Sequence, residues 1–235
     1  MDDFTNATER TMQAYQQIAR SYGLSKGENG ARHTQDGLTD FWRERLHRFT
    51  ALVRTHSAYL AAPDLPVADI GCGPGREALY LARHGFSVLA IDLSEAMLNE
   101  ARTRTQNQPG AERITFQQMD MRALKLPDAS CTGILASASF LHIPKSENLA
   151  VLQEFVRVLL PNAPLQLMVK EHDGGADERY DLHEETGTQR FYARYRGGEL
   201  WNLLEQAGLR VLEITTTIDT RFPNLPRWLA ALAVE

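Results

Sequence analysis

At 235 residues, 43% of them hydrophobic, the chain is long enough for one large domain with a buried core. Its formal charge of −5, with 30 acidic against 25 basic side chains, offers no broad basic surface for sequence-independent phosphate binding, so nucleic acid is not an expected partner. The polar, acidic opening MDDFTNATER has neither the basic end nor the apolar run of a signal peptide, and no stretch approaches the roughly 20 apolar residues of a membrane span; a cytoplasmic protein with no membrane partner is expected.

In chain order, two helices come first, roughly ATERTMQAYQQIARSY and GLTDFWRERLHRFTALVRTHSAYL. The segment GLSKGENGARHTQDG joins them, and Gly23, Gly27, Gly30 and Gly37 punctuate it, as suits a mobile joint. Residues 1–62 are therefore expected as a helical cap or lid, and 63–235 as the main domain. From Leu65 onward short apolar runs alternate with helical periodicity: PVADIG, REALYLARHG, FSVLAID, SEAMLNEARTRT, RITFQQMD, CTGILAS, SENLAVLQEFVRVLLP, LQLMVK, GELWNLLEQAG and LRVLEITTTI. That order reads as a doubly wound parallel sheet of the Rossmann-like kind, with Gly85 and Gly208 closing helices and Pro161 stopping another. HDGGADERYDLHEE reads as a solvated acidic loop, and WLAALAV equally as a helical turn or a last strand. Cys72 and Cys131 lack CxxC spacing, and Glu171 and Asp173 beside Lys170 make a poor magnesium site, so neither a disulfide nor a metal is expected.

The stretch DIGCGPG, residues 69–75, places Gly71, Gly73 and Gly75 between a strand and a helix, where backbone can approach a ligand closely and aim N–H groups at an anion. A nucleotide-type ligand follows, with its identity open. The dinucleotide pattern GxGxxG would end on Arg76, a bulky cation, which weakens a nicotinamide reading. Asp92 closes the second strand in VLAIDLS, where a carboxylate can accept from ribose hydroxyls, and Asp120 closes the third in FQQMDMR, within reach of an adenine amine.

Taken together, DIGCGPG, AIDLSEAML, QMDMRAL and LHIP followed by LQEFVRVLLPNAPLQLMVKE resemble the successive motifs of the class I S-adenosylmethionine-dependent methyltransferases, small-molecule branch, from about Val67 to Lys170. Asn162 and Ala163 stand where members commonly carry two glycines, which implies a locally altered turn. The resemblance implies a sheet of seven strands with the last antiparallel, WLAALAV being the seventh, and S-adenosyl-L-methionine as cofactor. It implies that Gly71, Gly73 and Gly75 pass under the methionine part with Cys72 among them, that Asp69 faces the ammonium directly or through water, and that Asp92 holds the ribose beside Leu93. Met97 would cover adenine, Asp120 and Met121 would lie at its edge, Ala136 and Ser137 would line the next strand end, and Tyr15 and Tyr22 would close over the cofactor.

Methyl transfer from a sulfonium is a direct displacement that needs a positioned acceptor lone pair, and a hydroxyl or protonated amine profits further from a general base. O- or N-methylation of a small molecule is expected. The segment ASASFLH after the fourth strand lacks the Asp-Pro-Pro-Tyr-like run of enzymes that methylate nucleobase amines. The acceptor pocket is expected from Phe140, Glu171, Arg190, Phe191, Tyr192 and Tyr195, with His142 ranked first as base and His172 second. A nicotinamide-dependent oxidoreductase and a non-catalytic cofactor-binding regulator are the alternatives; no motif encodes the acceptor or a monomer-or-homodimer state.

Overall fold

The computed structural model describes residues 6–28, 40–183, 186–218 and 226–235. The expected helices form, with different bounds: α1 (Ala7–Glu28) runs through Gly23 and Gly27, while the second breaks at His56 into α2 (Asp40–Thr55) and α3 (Ser57–Ala61). Gly30 and Gly37, also expected to punctuate the joint, lie outside the described residues.

The parallel strands β1 (Val67–Ile70), β2 (Val88–Asp92), β3 (Ile114–Gln118), β4 (Gly133–Ser137) and β5 (Pro164–Glu171) lie in the order β3-β2-β1-β4-β5. The connecting helices are α4 (Arg76–Arg83), α5 (Glu95–Thr105) and α6 (Asn148–Val158). Side chains alternate along the strands, so each strand feeds two apolar layers. Ile70, Ile91, Ile134 and Ala136 join Leu152, Phe155 and Leu167 in one, while Val67, Val88 and Leu135 join Leu81 and Leu98 in the other. The segment 1–62 divides accordingly: Leu46, Phe49 and Val53 of α2 belong to the second layer, whereas α1 packs across α5 and the later strands.

The chain ends as α7 (Gly197–Gln206), β8 (Arg210–Ile218) and β9 (Arg227–Val234), with β9 antiparallel between β5 and β8, so WLAALAV is a strand. Asn162 takes φ 63°, the left-handed turn that Asn tolerates better than other non-glycine residues, in place of the family's glycine. Seven strands thus follow the expected plan, and a hairpin of β6 (Glu178–His183) and β7 (Thr188–Tyr195) brings the sheet to nine. β7 pairs parallel with Lys170 and Glu171 of β5 on the side away from β9, beyond the end of β4. The acidic segment expected as a solvated loop is in part strand β6, held to β7 from Glu178↔Ala193 to His183↔Thr188.

Candidate cofactor and active site

The carboxyl ends of β1, β2, β3 and β4 open on one cleft, with α1 lining its other side. Gly71, Cys72, Gly73, Asp92, Leu93, Met97, Asp120, Met121 and Ser137 line it, as expected, together with Tyr15, Tyr22 and His142. Ala136 is buried in the core behind Ser137. Trp42 of α2 and Met12 of α1 line the cleft as well, and apolar periodicity in the sequence marked neither as different from a core residue.

Gly71 has φ 75°, and a Cβ there would meet Ser139 Cβ at 2.2 Å; that serine in turn donates to the Ile70 carbonyl at 2.6 Å. Gly73, at φ 51°, faces open space, so the absence of a side chain there leaves room for a ligand. Gly75 starts α4 in a left-handed conformation against Ala101. The expectation that this loop aims N–H groups at an anion is not met. Gly71 and Cys72 both donate to the Ile91 carbonyl (2.7 and 2.9 Å), Gly73 donates to Asp92 Oδ2 (2.8 Å), and Gly75 to the Cys72 carbonyl (3.0 Å), while Pro74 has no N–H. The loop supplies close approach, and its donors are consumed by the protein itself.

Charges around the loop are unbalanced. Asp69, 1% exposed beneath the loop, has Oδ2 without a hydrogen-bond partner, and burial, with Glu77 and Asp92 nearby, raises its carboxyl well above the usual range. Arg76, 6% exposed, lines the cleft with Nε unpartnered, and among the described residues no carboxylate pairs with it. Asp92 accepts from the Gly73 N–H through Oδ2 and from the Ser94 N–H through Oδ1 (2.8 Å each), with the Leu93 N–H also bonding the carboxylate, which leaves part of its acceptor capacity free; burial raises its carboxyl too.

Asp120 departs from expectation. Arg122 takes both its oxygens (Nε at 3.1 and 3.0 Å, Nη2 at 2.7 Å), and the Arg122 N–H adds a fourth bond at 2.9 Å, so little acceptor capacity remains for an adenine amine. The same guanidinium reaches Glu9 of α1 at 2.7 Å, which pulls the Glu9 carboxyl below its usual range. The pair fastens α1 to the end of β3.

Toward β4, His142 follows a tight turn, with Nδ1 2.6 Å from the Phe191 carbonyl and Nε2 3.0 Å from Tyr15 Oη. A carbonyl only accepts, so Nδ1 carries the proton and Nε2 is the acceptor for the Tyr15 hydroxyl. Desolvation of its partly buried ring, with Arg190 and Lys170 nearby, pushes the imidazole down to about 3 and keeps it neutral near neutral pH. Arg190 Nη1 donates to the same hydroxyl at 3.4 Å. Tyr192 packs against His142 with its ring tilted (centroids 4.9 Å apart), and its hydroxyl bonds His183 Nε2 at 3.0 Å.

The remaining expected pocket residues stand elsewhere. Along β7 the period of two sends Arg190, Tyr192 and Arg194 to one face and Phe191, Ala193 and Tyr195 to the other. Phe191 and Tyr195 are core residues, Tyr195 bonded by Asn148 at 2.6 Å, and Phe140 packs between Phe155 and Tyr195. Glu171 pairs with Arg227 of β9 at 2.5 Å, away from the cleft. His172, expected as the second base, does not line the cleft: its backbone N–H donates to the Tyr195 carbonyl, Nδ1 accepts from Gly174 N–H at 3.1 Å, and Nε2 lies 2.8 Å from both Asp177 Oδ1 and Arg196 Nη2. Among the described residues no cluster of metal ligands occurs, both cysteines are free and buried, and no helix is long and apolar enough to cross a membrane.

Residues 67–162 match the model of a methyltransferase-domain family. The chain carries a class I S-adenosylmethionine-dependent methyltransferase domain. It is 30% identical over 67% of its length to O-methyltransferase resE of Aspergillus sclerotiorum, and 31% identical over 72% to methyltransferase GfsG of Streptomyces halstedii. The matches cover 59% and 61% of those relatives, so the chain spans about three fifths of their length. Among solved structures, the [4+2]-cyclase SpnF shares the fold of this methyltransferase domain with TM-score 0.72 at 18% identity, over 97% of this chain and 96% of that one.

Proposed function

We propose that this protein transfers the methyl group of S-adenosylmethionine to an oxygen of a small-molecule acceptor by direct in-line displacement. The observation that carries the cofactor is a buried acid with one oxygen unpartnered and, among the described residues, a cleft-lining cation with no acid partner, at a loop whose own N–H groups are spent. Asp69 and Arg76 suit the ammonium and carboxylate of an amino-acid tail, whereas a pyrophosphate requires the free donors that this loop lacks. That weighs against a nicotinamide-dependent oxidoreductase.

S-adenosylmethionine brings an activated methyl on a sulfonium, so the chain has little covalent chemistry to perform. Gly71 and Gly73 let the backbone lie under the methionine part, and the spare lone pairs of Asp92 accept from the ribose hydroxyls. Leu93 and Met97 flank adenine, and recognition of its edge falls to the backbone at Met121, since Asp120 is committed to Arg122. Tyr15 and Tyr22 on α1 close the cleft. His142, neutral and with Nε2 accepting from the Tyr15 hydroxyl at rest, takes the acceptor proton once the acceptor displaces that hydroxyl. The oxygen acceptor is supported by the O-methyltransferase among the relatives. The acidic charge balance supports a small molecule over nucleic acid.

The full chain, incubated with S-adenosylmethionine and a panel of hydroxyl, carboxylate and amine acceptors, is expected to release S-adenosylhomocysteine with hydroxyl compounds. Binding without release for every acceptor would favour the non-catalytic regulator instead.

A further inference from the structure

Arg190 is the most unusual charge near the cleft. It is 5% exposed, its Nε has no hydrogen-bond partner, and no carboxylate among the described residues pairs with it. It sits 5.1 and 5.8 Å from the ring centroids of Tyr15 and Tyr22, behind the wall those rings form. Its neighbourhood adds no compensating anion. Asp181, the nearby acid, is shared among Lys170 (3.2 Å), Arg179 (3.1 Å) and Arg194 (2.5 Å). Lys170 and Arg194 sit over Tyr192, at 3.6 and 5.7 Å from its ring centroid. A buried guanidinium in a positive surrounding is stabilised by an oxygen that carries, or develops, negative charge.

The Tyr15 hydroxyl shows where such an oxygen fits. It donates to His142 Nε2 at 3.0 Å and accepts from Arg190 Nη1 at 3.4 Å, the two contacts an ionising hydroxyl needs. Resting on the methyl-transfer reading above, we propose that the acceptor is a small molecule with an acidic hydroxyl, a phenol or enol, whose oxygen replaces the Tyr15 hydroxyl between His142 and Arg190. As that oxygen forms its bond to the methyl carbon, the S–CH₃ bond breaks with its electron pair left on sulfur, and the O–H proton passes to His142 Nε2. Arg190 holds the negative charge of the oxygen along the way. A guanidinium placed to hold the negative charge of that oxygen favours a hydroxyl that ionises readily over an aliphatic alcohol.

The probe is 4-nitrophenol, whose visible absorbance reports its ionisation, added to the full chain saturated with S-adenosylhomocysteine at a pH where the free probe is mostly protonated. The bound probe is expected to show the phenolate band and to resist displacement by cyclohexanol. Arg190→Gln should lose that band and at least about tenfold in probe affinity while keeping its affinity for S-adenosylhomocysteine, and Arg190→Lys should restore part of the band. Tyr15→Phe, which removes the internal occupant, should bind the probe more tightly. A probe bound in protonated form, an Arg190→Gln protein that still ionises it, or loss of the band in Tyr15→Phe would each overturn the inference. Failure to bind S-adenosylhomocysteine at all would overturn the cofactor reading and this inference with it, whereas cofactor binding without probe ionisation overturns this inference alone.

Discussion

Replacing Arg76 with Gln separates a binding charge from a structural one. In the free protein the guanidinium is 6% exposed, with Nε unpartnered and no acid paired to it, so its removal costs no ion pair. Relief of an unpaired buried charge should leave the melting temperature unchanged or raise it. With ligand, a carboxylate accepting from this desolvated cation gains a charge-assisted bond worth about 1.5–3 kcal/mol, or roughly 10- to 150-fold in affinity. Calorimetric titration should show that loss for S-adenosylhomocysteine. Methylthioadenosine keeps the nucleoside and sulfur but lacks the amino-acid tail, so it should bind Arg76→Gln and the parent protein alike. Equal losses for both ligands, or a lower melting temperature with ligand affinity intact, would refute the assignment and make Arg76 a packing residue.

Asp69→Asn should act on the ammonium in the same way, weakening S-adenosylhomocysteine by about tenfold or more while sparing methylthioadenosine; loss of both would mean that the side chain only shapes the loop. The raised carboxyls of Asp69 and Asp92 keep protons that the unfolded chain has released, so their contribution to free-protein stability falls as pH rises through the folded values. Ligand binding needs them ionised, so the melting-temperature gain given by S-adenosylhomocysteine should grow as pH rises above the ordinary carboxylate range, and a flat gain would contradict this. His142 has the opposite sign: with its folded value at about 3 against 6.5 unfolded, its stability contribution is whole above 6.5 and is lost as pH falls toward 3. Between pH 7.5 and 5 the parent protein should lose about 2 kcal/mol more unfolding free energy than His142→Asn, and equal losses would place the imidazole in solvent. The same depression predicts a single-turnover rate with no acid limb near 6.5. If α1 opens to admit ligand, amide exchange along Ala7–Glu28 should slow when S-adenosylhomocysteine is bound, whereas unchanged exchange would make α1 fixed packing.

The parallel sheet and the cofactor end of the cleft were legible because their signals are local. Alternating glycines after a short apolar strand, and acids closing successive strands, place Gly71, Gly73, Asp92 and Asp120 at one edge without knowledge of distant contacts. What the sequence hid depends on partners far along the chain or on strand parity. Arg76 reads as the residue that spoils a dinucleotide pattern, yet the start of α4 buries it beside the cleft. Asp120 reads as a ligand for adenine because its pairing with Arg122, two residues on, becomes a clamp only when Glu9 arrives from α1. The β6–β7 hairpin is dense in charge, as a loop would be, because its ion pairs Lys170–Asp181 and Arg194–Asp181 form only once the strands pair with β5 and each other. Arg190 and Tyr195 could not be assigned to opposite faces of β7 until that pairing fixed which face each takes.

One titration bears most directly on the whole account: calorimetry of the full chain against S-adenosylmethionine and, separately, NADH. Saturable one-site binding of S-adenosylmethionine, weakened by Arg76→Gln and Asp69→Asn, with no heat from NADH, is the expected result. NADH binding in the absence of S-adenosylmethionine binding would contradict it, because the spent N–H groups of the glycine loop would then have to turn toward a pyrophosphate.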